Sequence, residues 1–431
     1  MLDIRYIREN AARVQEASEQ KGVSVDVAHL LQLDGARREL QTEVEELRCE
    51  RNDLASSTKG QKPSEEQLER GRRLKASIAE LEERLHTTDD EFIAALKKLP
   101  NMPLDYVPVG TSEDDNVVAK TVGEIPTFDF EPKNHWEIAQ KRDWIDKERA
   151  AKVAGSRFAY VKGGLARLHF ALMSYGMDVV TDEVRMQEIV EKAGLNVPAK
   201  PFTLVLPPAV ARTDIYDATG RLNKEDQTYK LADDDLWLNA SAEHVMAPMY
   251  LGEILDESQL PIRLVGYTTA FRREAGTYGK DKEGILRMHQ FDKLEMESFT
   301  TADTGLEEHR LMIAIQEYLM TSLGIPYRVL QKCTADIGGP NAAGVDIDAW
   351  LPGQNKYRET HTADYITDYQ ARRMQTRVRR TSGDLELVHT NDATAFSQRP
   401  LIAIIENFQQ ADGTVIVPEV LRSYLGGREE L

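Results

Sequence analysis

Cysteine is nearly absent: Cys49 and Cys333 are the only two in 431 residues. Two isolated thiols build no disulfide framework, and without a CxxC pair no zinc is expected. No apolar run approaches the ~20 residues of a membrane span. The N-terminal "MLDIRYIRENAARVQEASEQKG" is charged throughout and lacks an apolar signal core. A membrane or secreted protein is therefore not expected, and the cytoplasm is the expected compartment. Aromatics are sparse at 7%, yet hydrophobic residues reach 41%, a globular rather than disordered composition. Cations are also in deficit, 54 Lys and Arg against 72 Asp and Glu, for a net charge of −18. Phosphate repels such a chain at long range, so a nucleic-acid partner needs a local basic surface. Internal repeats and low-complexity tracts are missing too. The length suits two or three domains.

What is present begins with a seven-residue rhythm. Leu33, Leu40, Leu47 and Leu54 recur at that spacing, with Leu30 and Val44 filling the alternate seam positions. After the polar "SSTKGQKPSEEQ" a second seam runs through Leu74, Ile78, Leu81, Leu85, Thr88 and Phe92. Two such seams predict long helices packed antiparallel as a coiled-coil hairpin. Arg37 and Arg51 intrude on the first seam and weaken it. Prolines in "KKLPNMPLDYVPVGTSEDDN" end the helix and put a domain boundary near residue 105. The arm, residues 1–105, carries Lys59, Lys62, Arg70, Arg72, Arg73 and Lys75 at its tip and on its second helix. An anonymous hairpin is as readily a spacer or dimerisation coil. A cationic zone on a projecting arm also suits backbone-phosphate contacts.

Residues 106–431 alternate helical and strand patterns, as an α+β domain does. "GGLARLHFALMSYGMDVVTDE", "EEHRLMIAIQEYLMTSLGIPY" and "RPLIAIIENF" read as helices. "RLVGYTTAFRRE", "GILRMHQFDKLEMESFT", "GVDIDAWLP" and "LELVHT" read as strands. Between the first two strands, "FRREAGTYGKDKEGILRMHQF" gathers Arg272, Arg273, Glu274, Lys280, Asp281, Lys282, Glu283, Arg287 and His289 around a Gly-Thr-Tyr-Gly turn. By itself this is a salt-bridged hairpin loop or a loop that grips a polyphosphate.

The order strand, "FRREAG", loop, "RMHQF", strand is similar to motif 2 of the class II aminoacyl-tRNA synthetases. "SAEH" at 241–244 resembles the serine-binding Thr-Ala-Glu loop of the seryl-tRNA synthetase family. "LPNMPLDYVPVGTSEDDN", "DIDAWLPGQNKYRE", "DYQARR" and "RPLIAIIENFQQADGTVIVPEVLRSYLGG" resemble its linker, core strand and motif 3, and the hairpin resembles its tRNA-binding arm. The match runs from Met1 almost to the last residue.

The resemblance implies an antiparallel sheet flanked by helices, a homodimer, and serine activation by ATP followed by transfer to tRNA(Ser), with tRNA(Sec) as a further acceptor. It implies a nucleotide set of Arg272, Glu274, Arg287, Met288, Phe291, Glu359, Thr362 and Arg399. Within it Arg272, Glu359 and Arg399 carry the chemistry, and Glu359 and Thr362 hold magnesium. A forked guanidinium can engage the α-phosphate and the amino-acid carboxylate together. The serine set it implies is Ser241, Glu243, Arg272, Glu295, Asn391 and Thr394, and the tRNA set is Lys59, Lys62, Arg70, Arg72 and Arg73.

The chain departs from the family at Ser241, where Thr is commoner. It also departs in "ETHTADY", which puts His361 and Asp364 at Ser and Asn positions. In "HTNDATAFSQR", one residue is missing from the usual His-Thr-Leu-Asn order. Counting back from Arg399 keeps Asn391 in register and leaves Ala393 at a substrate-touching position, unless Thr394 takes it. A synthetase-like paralogue that only binds nucleotide, RNA or a protein partner is the alternative; loss of Arg272, Glu274 or Arg399 would mark it, and all three are present.

Overall fold

A computed structural model describes residues 1–60, 62–222, 227–274 and 284–431. The turn at 276–279 and Lys280, Asp281, Lys282 and Glu283 of the polar loop lie outside the described residues. The chain divides into two compact units, Met1–Met102 and Pro103–Leu431. Among the described residues no helix is long and apolar enough to cross a membrane.

In the first unit, helices α1 (Val27–Ser57) and α2 (Glu65–Lys98) pack along each other. Asp26 caps α1 by accepting from His29 N, and Ser64 with Gln67 forms a capping box on α2. Leu30, Leu33, Leu40 and Val44 are buried, as are Leu74, Ile78, Phe92 and Leu96. The remaining seam leucines, Leu47, Leu54, Leu81 and Leu85, are half-buried. Arg37 does not weaken the seam as expected. Its guanidinium lies 4.5 Å over the Phe92 ring and 3.4 Å from Asp89, so a cation–π contact and an ion pair replace an apolar one. Arg51 simply faces solvent.

The second unit is built on an eight-stranded sheet. In chain order its strands are β1 (Val117–Val122), β2 (Thr203–Val205), β3 (Ile262–Phe271), β4 (Gln290–Thr300), β5 (Tyr327–Gln331), β6 (Ala343–Leu351), β7 (Lys356–Thr367) and β8 (His389–Ser397). Their spatial order is β1-β5-β6-β7-β8-β4-β3-β2, antiparallel except for the β2–β3 edge pair. Helices α3 (Gly163–Thr181), α4 (Gly305–Ser322) and α5 (Arg399–Asn407) supply the apolar cover. Leu311, Met312 and Ile315 of α4 share one buried cluster with Met296, Ala363 and Ala393, which lie on a single rung of β4, β8 and β7. Side chains alternate across a strand, so the neighbouring rungs point the other way.

Two segments go beyond the sequence reading. "HTNDATAFSQR", not assigned to an element from sequence, supplies the central strand β8, buried along nearly its whole length. Strands covered on both faces lose the polar alternation that marks a half-exposed one. "LELVHT" divides: Leu385–Leu387 pairs with Arg377–Arg379 in a separate three-stranded sheet, and β8 starts at His389. The second motif strand starts only at Gln290, because His289 N donates to Arg157 O and its carbonyl accepts from Arg272 N.

Candidate active site

The polar face of the sheet carries the chemistry. Arg272 follows directly on β3 and is fixed on three sides. Its N–H donates to His289 O at 2.9 Å, its Nε donates to Ala240 O at 3.2 Å, and its Cζ lies 5.1 Å from the centroid of Phe291. Glu274 adopts a left-handed backbone (φ 49°), and its carboxylate meets Arg287 Nη1 at 3.0 Å. From the opposite wall, Arg399 opens α5. Its Nη1 donates to the Glu359 carbonyl at 2.9 Å and pairs with Glu359 Oε2 at 2.9 Å. Desolvation favours the protonated Glu359 only in part, since its side chain is 49% exposed, and Arg399, then Lys332 and Arg272, outweigh it and hold the carboxyl down to about 2.

All eight nucleotide residues expected from the sequence, from Arg272 to Arg399 and including Met288 and Thr362, line one cleft. Met288 is buried and forms part of its floor. Thr362 lines the cleft with a buried hydroxyl that interacts with the Asp346 carboxyl. The arrangement offers three guanidinium groups, an aromatic face and an ionised carboxylate: the equipment to seat an aromatic base and neutralise a bent polyphosphate.

Beside this cleft sits a smaller, buried polar cluster. Ser241 Oγ donates to Glu295, whose other oxygen is 2.5 Å from Lys293 Nζ. Glu243 starts a one-turn helix and accepts from Arg221 Nε and from Gln370 Nε2, both at 2.7 Å. Thr394 stands opposite Glu295 in the β8–β4 register and lines the cleft.

Asn391 is not part of this cluster. It lies on the other face of β8, paired with Ser298, and its amide donates to Ser298 Oγ at 3.3 Å. Asp392 takes the site face instead. Ala393 is in the core, so Thr394, opposite Glu295, is the hydroxyl this strand sets beside the cluster. His361 also turns to the apolar face, beside Phe396, where burial pushes its imidazole down to about 3.

Arg221, Lys293 and Asp392 escaped the sequence reading. Lys293 was findable, being two residues before Glu295 and so on the same strand face. Arg221 was not, since it lies in an irregular segment remote in sequence from both its partners. Asp364, Asp392 and Glu297 occupy one rung of β7, β8 and β4. Burial, then neighbouring carboxylates, push Asp392 and Glu297 upward. Arg221 opposes this at Asp392 with a 3.1 Å contact, whereas among the described residues neither Glu297 oxygen has a hydrogen-bond partner.

On the arm all five tRNA candidates are exposed. Arg70 is paired with Glu50 at 2.6 Å and Arg73 with Glu69 at 2.5 Å. Lys59, Lys62 and Arg72 make no ion pair among the described residues.

The polar cleft on an antiparallel sheet, with Arg272 after one motif strand and Arg399 opening the last helix, places the chain among the class II aminoacyl-tRNA synthetases. The model of the tRNA synthetase class II core domain (G, H, P, S and T) matches residues 228–408, and that of the seryl-tRNA synthetase N-terminal domain matches residues 1–103. The serine–tRNA ligase of Citrifermentans bemidjiense is 40% identical over 437 aligned positions, covering 100% of both chains. That of Deinococcus radiodurans is 38% identical, over 100% of this chain and 99% of its own. Among solved structures, seryl-tRNA synthetase from Pyrococcus horikoshii complexed with ATP superimposes with a TM-score of 0.88 at 35% identity, covering 100% of this chain and 99% of that one. The chain belongs to the seryl-tRNA synthetase family, the serine–tRNA ligases.

Proposed function

We propose that this chain activates serine in the Arg272–Arg399 cleft and passes it to tRNA(Ser) gripped by the helical arm. Serine's carboxylate attacks the α-phosphorus of ATP, the α–β anhydride bond breaks, and pyrophosphate leaves. The terminal hydroxyl of the tRNA then attacks the acyl carbon of the adenylate, and AMP leaves. Arg272 reaches both the carboxylate and the α-phosphate, offsetting charge that grows in the transition state. Glu274 accepts from the adenine amino group, Phe291 stacks on the ring over Met288, and Arg287 and Arg399 meet the outer phosphates.

The smaller cluster receives serine. Glu295, Ser241 and Glu243 face the ammonium, and Thr394 faces the hydroxyl. A site that hydrogen-bonds a hydroxyl rejects the analogue without it by about 10⁴-fold, because its own groups are left unpaired.

Magnesium suits the hard oxygens of Glu359 and Thr362. Glu359 is held in its ionised form by the cations around it, and the Thr362 hydroxyl lines the same cleft. Among the described residues no three His, Cys, Asp or Glu cluster for a metal, which suits an ion that takes one or two protein ligands and otherwise phosphate and water. Bound there, it would neutralise phosphate charge.

The arm's Lys59, Lys62 and Arg72 serve as phosphate contacts, two chains assemble as a homodimer, and the work is done in the cytoplasm. The observation that carries the reading is the convergence of all eight nucleotide residues on one cleft beside the Ser241–Glu295 pair. Amino-acid-dependent pyrophosphate exchange, run with each standard amino acid, tests it: serine alone supports rapid exchange, and exchange with another amino acid or none refutes it.

A further inference from the structure

Asp364, Asp392 and Glu297 stand side by side on adjacent strands, an arrangement that like-charge repulsion disfavours. One guanidinium answers it. The Arg221 side chain is only 16% exposed, and its fork takes Glu243 with Nε at 2.7 Å and Asp392 with Nη2 at 3.1 Å. Glu243 is two residues beyond Ser241, and Asp392 is two residues before Thr394. Arg221 thus ties the segment bearing Ser241 to the strand bearing Thr394, the two walls of the amino-acid subsite. It is not among the residues lining the nucleotide cleft.

Resting on the serine reading above, we infer that Arg221 is a positioning residue that sets side-chain specificity: by pairing with Asp392 it leaves that end of the subsite able to accept a hydroxyl hydrogen but without free negative charge for an ammonium. A carboxylate already satisfied by a fixed fork still has lone pairs to accept a hydrogen bond. Removing the guanidinium takes the counter-charge from Asp392, which burial and the neighbouring carboxylates already push toward its protonated form. An ammonium side chain of serine's size can then replace the guanidinium as the cation that keeps it ionised.

The test compares serine with 2,3-diaminopropionate, which carries an ammonium in place of the hydroxyl, in pyrophosphate exchange by the full-length protein. Arg221→Gln is expected to lower kcat/KM for serine by about tenfold or more, leave the KM for ATP unchanged, and narrow the serine-to-diaminopropionate ratio by about tenfold. Adding Asp392→Asn removes the exposed charge and restores the ratio, a rescue no merely structural role produces. Arg221→Lys keeps the charge and keeps the ratio. An unchanged ratio in Arg221→Gln, or a loss that falls equally on serine and ATP, overturns the inference. A wild-type protein that does not activate serine overturns the function reading instead, and shows before any variant is made.

Discussion

Arg399 and Glu359 meet at 2.9 Å through their side chains, and the same guanidinium nitrogen also holds the Glu359 backbone carbonyl. A helix N-terminus and a sheet strand are thereby joined by one residue at the mouth of the cleft. The pair holds both side chains in place at the cleft in which phosphate binding is proposed.

Glu359 titrates far below an ordinary glutamate, about 2 against 4.5, because the cations around it favour the ionised form. A depressed pKa in the fold gives stability that is in place above pH 4.5 and is lost as the pH falls toward 2. Thermal melts of wild type and Glu359→Gln are therefore expected to differ most above pH 4.5 and to converge below it. A gap that stays constant through that range contradicts the assignment.

Arg272→Ala is expected to abolish adenylate formation with circular dichroism unchanged, and Arg272→Lys to recover little. A lysine is a point charge and cannot fork between two anions. Pyrophosphate exchange near the wild-type rate in either variant would rule out the role.

Arg263 and Glu308 form a fully buried pair at 2.5 Å, with Arg263 0% and Glu308 1% exposed. Arg263 Nη1 also donates to the carbonyls of Pro198 and Lys200. Glu308→Ala strands the guanidinium without its counter-charge and is expected to cost about 3–5 kcal/mol in urea unfolding. A loss under about 1 kcal/mol would mean the carbonyls suffice.

Phe170 on α3 is 63% exposed and Leu206 is 81% exposed, large apolar side chains of the kind that partner subunits cover. Light scattering at micromolar concentration is expected to give a dimer for wild type and a weakened one for Phe170→Glu. A wild-type monomer contradicts the proposed assembly.

Deleting the arm between Leu47 and Leu81 is expected to spare serine-dependent exchange and to cripple tRNA charging, since no cleft residue lies in it. Reversing charge at Arg72, which has no ion-pair partner among the described residues, should flatten the salt dependence of tRNA binding by about one log–log unit. Reversal at Arg73 should do less, because Glu69 already engages it. Undiminished charging by the truncated protein would make the arm a spacer.

The heptad seams, the helix caps and the order of motifs were local matters, and the sequence by itself determined them. Leucines every seventh residue can be satisfied only by a facing helix, and a serine with a glutamine three residues on caps a helix wherever it stands. The residues that the family resemblance assigned to the nucleotide were legible because short contiguous motifs carry them, and all eight line one cleft. Tertiary structure alone decided which residues of β8 share the face of Glu295 and the cleft. With one residue missing, counting from Arg399 favoured Asn391, but pairing with β4 sets the alternation and turns Asp392 and Thr394 inward. It alone decided that Arg37 is an asset to the seam, since only the packed hairpin lays Phe92 beneath it. Arg221 is the clearest case. Its partners lie 22 and 171 residues away, and the need for a cation arises only once three strands bring their carboxyls onto one rung. Long-range charge compensation leaves no periodic or local mark in a sequence.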